Sequence, residues 1–277
     1  MNFFVSDIHG AATEYFRLKE FIGLKKNDNL YILGDVLDGN YLNPEANLEI
    51  LDDIIANNNI HLILGDHEYW HVMYYMSYKG NSNEDMDYCE TQLTQMEFTG
   101  KPLLKYFRNK LSAKEYRRYI TFLTKCGMSD FIKIGDFSIY LVHSSPCLCQ
   151  DTEIWQREVT EIPLVLDFDY SQYIDSDPDM GKFMAANKTL RVGKSIVIAG
   201  GSPVRNYFER DPKLLEMAVK DDLGIKKQKV IVKGKNTLIN CGCAGNTIGK
   251  ITDGWENDLA CLFIDAAGFN TVYLSDY

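Results

Sequence analysis

The chain has 277 residues, of which 45% are hydrophobic and 25% are charged. That balance is typical of a globular protein, and no apolar run is long enough to cross a membrane. The 29 Lys and Arg residues and the 39 Asp and Glu residues give a net charge of −10. Because affinity for a phosphate backbone comes from clustered basic residues, we expect no nucleic-acid partner.

The first residues and the cysteines indicate the cellular compartment. The N-terminal stretch lacks the basic segment and the long apolar segment of a secretory signal. The seven cysteines are odd in number and scattered, as is typical of reduced thiols in a cytoplasm. We therefore expect a cytoplasmic protein without a membrane anchor.

The first 65 residues alternate short apolar runs with helical patterns. The predicted strands are residues 3–5, 30–33 and 60–64, and the predicted helices are residues 11–22 and 45–57. Strands that alternate with helices imply βαβ units and a mainly parallel sheet.

Residues 66–126 break this alternation with helical stretches and no clear strand. We interpret them as a helical insertion or cap. The later predicted elements are strands at 130–134, 137–142, 195–199, 230–232, 237–240, 259–264 and 271–274, and a short helix near 182–190. We expect the last strands to be antiparallel. Because no Pro-, Gly- or Ser-rich linker marks a boundary, we predict one domain over residues 1–277.

A short motif rich in Asp and His follows each of the three early strands. The motifs are Ser6-Asp7-Ile8-His9-Gly10, Gly34-Asp35-Val36-Leu37-Asp38-Gly39 and Gly65-Asp66-His67-Glu68, and a later strand ends in Val142-His143. Ligands bind where the carboxyl ends of parallel strands meet. Converging carboxylates repel one another unless a cation binds, and mixed oxygen and nitrogen ligands suit Mn²⁺, Fe or Zn²⁺.

In this order, the motifs resemble those of the calcineurin-like metallophosphoesterases. Three later pieces are similar to the PPP branch of serine/threonine phosphatases and diadenosine tetraphosphatases: Ile154-Trp155-Gln156-Arg157, Gly200-Gly201-Ser202-Pro203-Val204 and Asn240-Cys241-Gly242-Cys243. The resemblance implies an α/β fold, a four-layer α/β/β/α sandwich of two mixed sheets with a helical insertion. It also implies a metal-dependent phosphoester hydrolase that uses a metal-activated hydroxide and a His general acid.

Five residues would hold two divalent metal ions by this resemblance. Asp7 and His9 would bind the first ion, Asp35 would bridge both ions, and Asp66 and His143 would bind the second. Mn²⁺ is the first expectation for both ions, with Fe, Zn²⁺ or Mg²⁺ as alternatives.

The resemblance also assigns the proton transfer and the substrate contact. His67 would be the general acid that protonates the leaving oxygen, Asp38 would orient it, and Arg157 would bind the phosphate. The substrate would be a phosphoprotein or a nucleotide-type small molecule.

Three positions depart from the family pattern. Asp66 stands where the family has Asn, Gly201 where it has His, and Gly39 where it has Arg. No histidine follows His143, so the glycine at 201 is not an alignment shift. We expect a second metal site that is weakened or altered, and a single-metal site is the alternative. Without the arginine, phosphomonoester dianions should lose more affinity than diesters.

The departures also support a second interpretation of a different class. In this interpretation the chain is a catalytically weak or inert phosphatase-like protein that binds metal, a nucleotide or a protein partner. Its activity at saturating metal separates the two interpretations.

Two further patterns suggest zinc. His67-Glu68-Tyr69-Trp70-His71 matches the H-E-x-x-H helix of zinc peptidases. We favour the phosphoesterase motif because the pattern begins directly at a strand end, and we expect His71 at the helix surface or packed within the insertion. The pairs Cys147/Cys149 and Cys241/Cys243 have one intervening residue, which is short for a structural zinc site.

Overall fold

A computed structural model describes residues 1–38, 43–80, 82–95, 101–135, 137–143, 195–200, 230–233, 237–240, 251–252, 255–256, 260–265 and 268–274. The helices in this part are α1 (Ala12–Phe21), α2 (Pro44–Ala56), α3 (Asp66–Gly80), α4 (Asn83–Gln95), α5 (Lys101–Asn109) and α6 (Ala113–Leu123). The strands are β1 (Asn2–Val5), β2 (Asn29–Leu33), β3 (Ile60–Ile63), β4 (Ser129–Ile134), β5 (Phe137–Val142), β6 (Ser195–Ala199), β7 (Val230–Lys233), β8 (Thr237–Asn240), β9 (Ile251–Thr252), β10 (Trp255–Glu256), β11 (Ala260–Asp265) and β12 (Gly268–Tyr273).

The first sheet has five strands in the order β12-β11-β1-β2-β3. Strands β1, β2 and β3 are parallel, as predicted. Strand β11 pairs antiparallel with β1, with Phe263 opposite Phe3, and β12 pairs antiparallel with β11. The sheet is therefore mixed: β1, β2 and β3 come from the beginning of the chain, and the antiparallel strands β11 and β12 come from its last part.

The second sheet has the order β4-β5-β6-β8-β7. Strand β6 is parallel to both β5 and β8, whereas β4–β5 and β7–β8 are antiparallel pairs. The expectation that the strands from residue 230 onward are antiparallel is confirmed for the pairs β7–β8 and β11–β12, but it is wrong for β8 where that strand pairs in parallel with β6. Strand direction depends on which strands become neighbours, and short apolar runs carry no information about that. The antiparallel pair β9–β10 was not predicted.

Alternating side chains place the first sheet between two apolar layers. On β1, Phe3 and Val5 pack with residues of helices α1, α2 and α3, while Phe4 faces the other way. Phe4 belongs to a core that includes Leu141 of β5 and Ile198 of β6. The two sheets therefore face each other, with helices on the outer face of the first. The helix predicted near residues 182–190 lies outside the described residues.

Residues 66–126 are largely helical, as predicted, and four helices account for the described part. Helix α6 begins at a capping box in which the Ser112 hydroxyl accepts from the Glu115 amide and Glu115 accepts in return. The assignment of the whole chain to one domain stays a prediction.

The described helices and cysteines bear on two further expectations. None of the helices in the described ranges is both long and apolar enough to span a bilayer. Cys89, Cys126 and Cys261 are buried free thiols. The four cysteines of the two C-x-C pairs lie outside the described residues.

Candidate active site

The ends of strands from both sheets meet at one edge of the molecule. Asp7 follows β1 and Asp35 follows β2, and their loops are joined by the His9 amide, which donates to the Asp35 carbonyl at 2.8 Å. Asp66 follows β3 closely, and His143 directly follows β5 of the second sheet. The structure therefore brings the predicted metal-binding residues of four separate strands together.

Backbone strain is concentrated at this edge. Asp7, His9, Asp35 and Asp38 have φ angles of 56°, 47°, 54° and 60°. Within the described ranges they are the only non-glycine residues with positive φ. Each such conformation costs about 1–3 kcal/mol and persists only where surrounding contacts impose it. Strain of this kind clusters at functional sites, which supports a functional role for this edge.

Glycines allow the two sheets to approach each other closely. A Cβ atom on Gly200, which follows β6, would lie 1.6 Å from the Ser6 Oγ atom. A Cβ atom on Gly34 would lie 2.4 Å from Nδ1 of His143. Any larger residue at these positions would push the second sheet away from the Asp7 and Asp35 loops.

His9 is held as a neutral imidazole that faces two carboxylates. Its Nδ1 atom donates to the Leu37 carbonyl at 3.3 Å. Its Nε2 atom lies 3.8 Å from Oδ1 of Asp7 and 3.6 Å from Oδ2 of Asp35. Burial, reinforced by the charge of His67, lowers the pKa of His9 to about 3. A neutral Nε2 lone pair facing carboxylate oxygens is an arrangement that a cation stabilises.

His143 occupies the equivalent position on the second sheet. Its Nδ1 atom donates to the Leu33 carbonyl at 2.7 Å, and its Nε2 atom lies 3.3 Å from both Asp35 Oδ2 and Asp66 Oδ1. Burial and the charge of Asp66 raise the pKa of Asp35 to about 8. Burial lowers the pKa of His143, but the Asp35 charge outweighs it and raises that pKa above its ordinary value. A bound dication would instead keep both groups deprotonated.

The donor set fits divalent metal ions. The ligand atoms of Asp7, Asp35 and His143 lie within 4.8 Å of one another, and so do those of His9, Asp35 and His67. All five residues are buried. Atoms that bind one ion at about 2.0–2.2 Å are typically about 3–4 Å apart, which matches the distances around Asp35. The grouping differs from the predicted one, because Asp7 falls with His143 and Asp66 falls in neither group.

His67, which belongs to one of these groups, also bonds a carboxylate that lies in neither group. Its Nδ1 atom lies 3.1 Å from Oδ2 of Asp38. Burial lowers the pKa of His67, but the Asp35 charge and the Asp38 hydrogen bond outweigh burial and raise the pKa to about 10. Burial raises the pKa of Asp38, but hydrogen bonds and charges from His71 and His67 outweigh it and hold that pKa below its usual range. A protonated imidazole beside an ionised carboxylate is suited to donating a proton.

A profile of the calcineurin-like phosphoesterases matches residues 3–200, which is more than half of the chain. The chain belongs to the calcineurin-like phosphoesterase family. It is therefore a hydrolase of phosphoesters in a family whose members typically bind divalent metal ions. The family, the α/β fold class and the hydrolase class predicted from the motifs are confirmed.

Solved structures are similar to this phosphoesterase at low sequence identity. The hypothetical protein PH1004 from Pyrococcus horikoshii OT3 is 14% identical, with a TM-score of 0.52 over 100% of this chain and 92% of that chain. This likeness shows a shared fold. A metallophosphoesterase from Sphaerobacter thermophilus is 14% identical, with a TM-score of 0.46 over 98% and 87% of the two chains. A protein serine/threonine phosphatase from Saccharomyces cerevisiae is 12% identical, with a TM-score of 0.48 over 98% and 78%. No curated protein matches the chain.

Glu68 of this phosphoesterase has a structural role that the sequence interpretation did not assign. Its buried carboxylate accepts hydrogen bonds from the backbone amides of Asp35, Val36, Leu37 and Gly65, at 2.8–3.0 Å. It therefore ties the loop after β2 to the loop after β3. Its position beside Asp66 and His67 was a signal, since the motif already placed it at the edge.

His71 has a role that the sequence predicts only in part. Its packing within the insertion is confirmed, because it is fully buried against Phe107 of α5, whereas the alternative position at the helix surface is wrong. Its Nε2 atom also bonds Asp38 Oδ2 at 2.8 Å, which was not predicted. The signal was its spacing, because residues four apart on a helix share one face and His67 precedes it by four. With Glu68 bonded to backbone amides and His71 to Asp38, the H-E-x-x-H pattern does not form a zinc-peptidase site.

Three further positions were singled out in the sequence, one as a phosphate contact and two as departures from the family pattern. Arg157, Gly39 and Gly201 lie outside the described residues. Their predicted effects on the phosphate contact and on the second metal site stay predictions.

Proposed function

We propose that this phosphoesterase is a PPP-like phosphatase with two metal sites that share Asp35. Asp7, His9 and Asp35 would hold the first ion, and Asp35, Asp66 and His143 the second. The observation that carries this proposal is the position of the Asp35 Oδ2 atom. It lies 3.6 Å from Nε2 of His9 and 3.3 Å from Nε2 of His143, between imidazoles that come from different sheets.

Each imidazole is oriented before a metal binds. The carbonyls of Leu37 and Leu33 accept from the Nδ1 atoms of His9 and His143, which leaves each Nε2 lone pair directed at carboxylate oxygens. Carbonyl partners of this kind fix the ring and its tautomer in metal sites. Mn²⁺ is the ion we expect first. The bound ions would supply Lewis acidity and a lowered pKa for water at the site.

His67 would donate the proton that the leaving oxygen needs. Asp38 accepts from its Nδ1 atom, so the other ring nitrogen carries the proton that is transferred. The His67 ring meets the His9 ring edge-on at a centroid distance of 5.0 Å, which keeps the acid next to the proposed metal ligands. General acid catalysis of this kind contributes about 10²–10⁴-fold to the rate.

The proposed substrate is a phosphoprotein or a nucleotide-type phosphoester, with Arg157 as a phosphate contact. Because Gly39 stands where the PPP pattern has arginine, the enzyme should favour diesters more than a typical phosphatase of that branch does. Gly201 removes a histidine from the second site, so the second ion should bind more weakly than the first.

The decisive experiment compares the wild-type protein with Asp35→Asn. Both proteins are assayed with p-nitrophenyl phosphate and bis-p-nitrophenyl phosphate at saturating Mn²⁺, and bound Mn²⁺ is titrated by calorimetry. We expect turnover by the wild type, and neither turnover nor tight Mn²⁺ binding by Asp35→Asn. The matched control is Asp87→Asn, which removes one carboxylate from the exposed face of α4 and should change nothing.

Three outcomes would contradict the proposal. If Asp35→Asn keeps both Mn²⁺ binding and turnover, Asp35 does not bridge two ions. If the wild type binds Mn²⁺ but hydrolyses neither ester, the alternative of a metal-binding protein without activity replaces the phosphatase. A stoichiometry near one Mn²⁺ per chain at saturation would replace the two-metal site with a single-metal site.

A further inference from the structure

We propose that His71 is a positioning residue for the acid His67, acting through the carboxylate of Asp38. This inference rests on the proposed role of His67 as the general acid. It assigns a function to the one histidine of the edge that neither the family motifs nor the metal ligand groups include.

One carboxylate oxygen binds both imidazoles. Oδ2 of Asp38 lies 3.1 Å from Nδ1 of His67 and 2.8 Å from Nε2 of His71. All three side chains are buried, and those of Asp38 and His71 have no exposed surface. An ionised carboxylate can only accept hydrogen bonds, so both imidazoles must donate to it. The shared oxygen therefore fixes the proton of His67 on Nδ1 and that of His71 on Nε2.

His71 also holds Asp38 in its strained backbone conformation. Asp38 has a φ of 60°. Within the described ranges, its side chain is bonded by His67 and His71 alone. Without His71, the carboxylate could turn and carry the His67 ring with it. The hydrogen bond from His71 is the shorter of the two.

The position of His71 is rigid because it lies inside the helical cap. It is in the second turn of α3, and its ring packs against Phe107 of α5 at a centroid distance of 5.5 Å. Phe107 is fully buried. The cap therefore contributes a fixed point from which the orientation of Asp38 is set.

A purely structural role explains this arrangement poorly. The Nδ1 atom of His71 has no hydrogen-bond partner within the described part of the chain. Burying such a group typically costs about 1–3 kcal/mol, and an apolar residue of similar size would avoid that cost. The histidine is favoured over an apolar residue only if its donated hydrogen bond to Asp38 has a use.

The test removes the donor while keeping most of the volume, with His71→Leu. Steady-state kinetics at saturating Mn²⁺ compare p-nitrophenyl phosphate, a good leaving group, with phenyl phosphate, a poor one. We expect kcat for phenyl phosphate to fall about 10- to 100-fold, as for other residues that orient a catalytic side chain. The kcat for p-nitrophenyl phosphate, both KM values and the Mn²⁺ affinity should change by less than about threefold. His71→Gln, which keeps an N–H donor, should restore much of the loss.

Two controls separate positioning from a general loss of structure. His61→Leu replaces a histidine at the opposite end of β3 and should leave the leaving-group dependence unchanged. In a His67→Ala background, His71→Leu should cost nothing further on phenyl phosphate, because the two residues act in series. Equal losses on both esters, or an undiminished loss in the His67→Ala background, would overturn the inference.

A measurement without turnover keeps this inference separate from the proposed function. In protein labelled with ¹⁵N-histidine, the Nδ1–H proton of His67 should resonate downfield and exchange slowly with water. His71→Leu should shift this resonance and speed its exchange at least about tenfold, whereas an unchanged resonance would overturn the positioning role. If the wild type lacks activity, the phosphatase proposal fails, and this resonance alone decides whether His71 orients His67.

Discussion

The two sheets build their shares of the site in opposite ways. The first sheet places Asp7, His9, Asp35 and Asp38 by forcing each into a left-handed backbone conformation in the loops after β1 and β2. The second sheet supplies His143 directly after β5, with no positive φ at that residue. It reaches the first sheet because Gly200 and Gly34 have no side chains. The part of the site on the first sheet depends on strained backbone conformations, and the part on the second sheet depends on glycines that let the sheets approach.

Removing His143, the proposed metal ligand on the second sheet, is expected to have the largest effect. His143→Ala deletes the Nε2 atom that lies 3.3 Å from both Asp35 and Asp66. Loss of groups that only support a ligand costs about 10- to 100-fold, so loss of a ligand should lower kcat/KM at least about 100-fold. His61→Ala is the control. Activity that survives His143→Ala within threefold would mean that the first sheet alone forms the site.

Gly200→Ala should have the next largest effect, and it tests whether the close approach of the two sheets requires a glycine at this position. The new Cβ would lie 1.6 Å from Ser6 Oγ and 2.7 Å from Asp7 Oδ2. Overpacking of this kind typically costs about 1–3 kcal/mol, which urea denaturation of the metal-free protein measures. Turnover should fall as well, because Asp7 must move. Gly80→Ala, with nothing within 4 Å, is the control. Equal stability of the two variants would refute close contact between the sheets.

The smallest effect is expected at Gly135, in the turn between β4 and β5. Its φ of 57° is left-handed, but a Cβ there would meet nothing within 4 Å. Gly135→Ala should therefore cost about 1 kcal/mol of backbone strain and leave turnover unchanged. If Gly135→Ala reduces stability more than Gly200→Ala does, backbone strain matters more than close contact on the second sheet as well. The contrast between the two sheets would then be wrong.

The part of the site on the first sheet could be predicted because its residues directly follow strands that are recognisable in the sequence. Each of Asp7, Asp35 and Asp66 follows an apolar run within a few residues, and parallel βαβ units bring such ends together without further information. The same reasoning identified β1, β2 and β3 and the helices between them. It placed His143 as well, because that residue also ends an apolar run.

The contacts that escaped prediction depend on distant parts of the chain. The antiparallel pairing of Phe3 with Phe263 joins strands from the beginning and the end of the sequence. Strand β8, which we expected among antiparallel strands, also pairs in parallel with β6. Neither pairing follows from the alternation of polar and apolar residues, because that pattern indicates where strands are but not which strands pair. The hydrogen bond from His71 to Asp38 was missed for a different reason. In the sequence, a histidine on a buried helix face cannot be distinguished from one that only packs, because its polar partner lies elsewhere in the chain.

The hydrogen bonds of Glu68 have a consequence for how the edge folds. A single carboxylate from the first turn of α3 receives three amides from the loop after β2 and one from the residue before α3. These four amides can be exposed to water only when that helix turn moves. They should therefore exchange their hydrogens at one common rate and behave as a single cooperative unit. We therefore expect the strained loop to become ordered when α3 docks, so that this edge and the helical cap form in the same folding step.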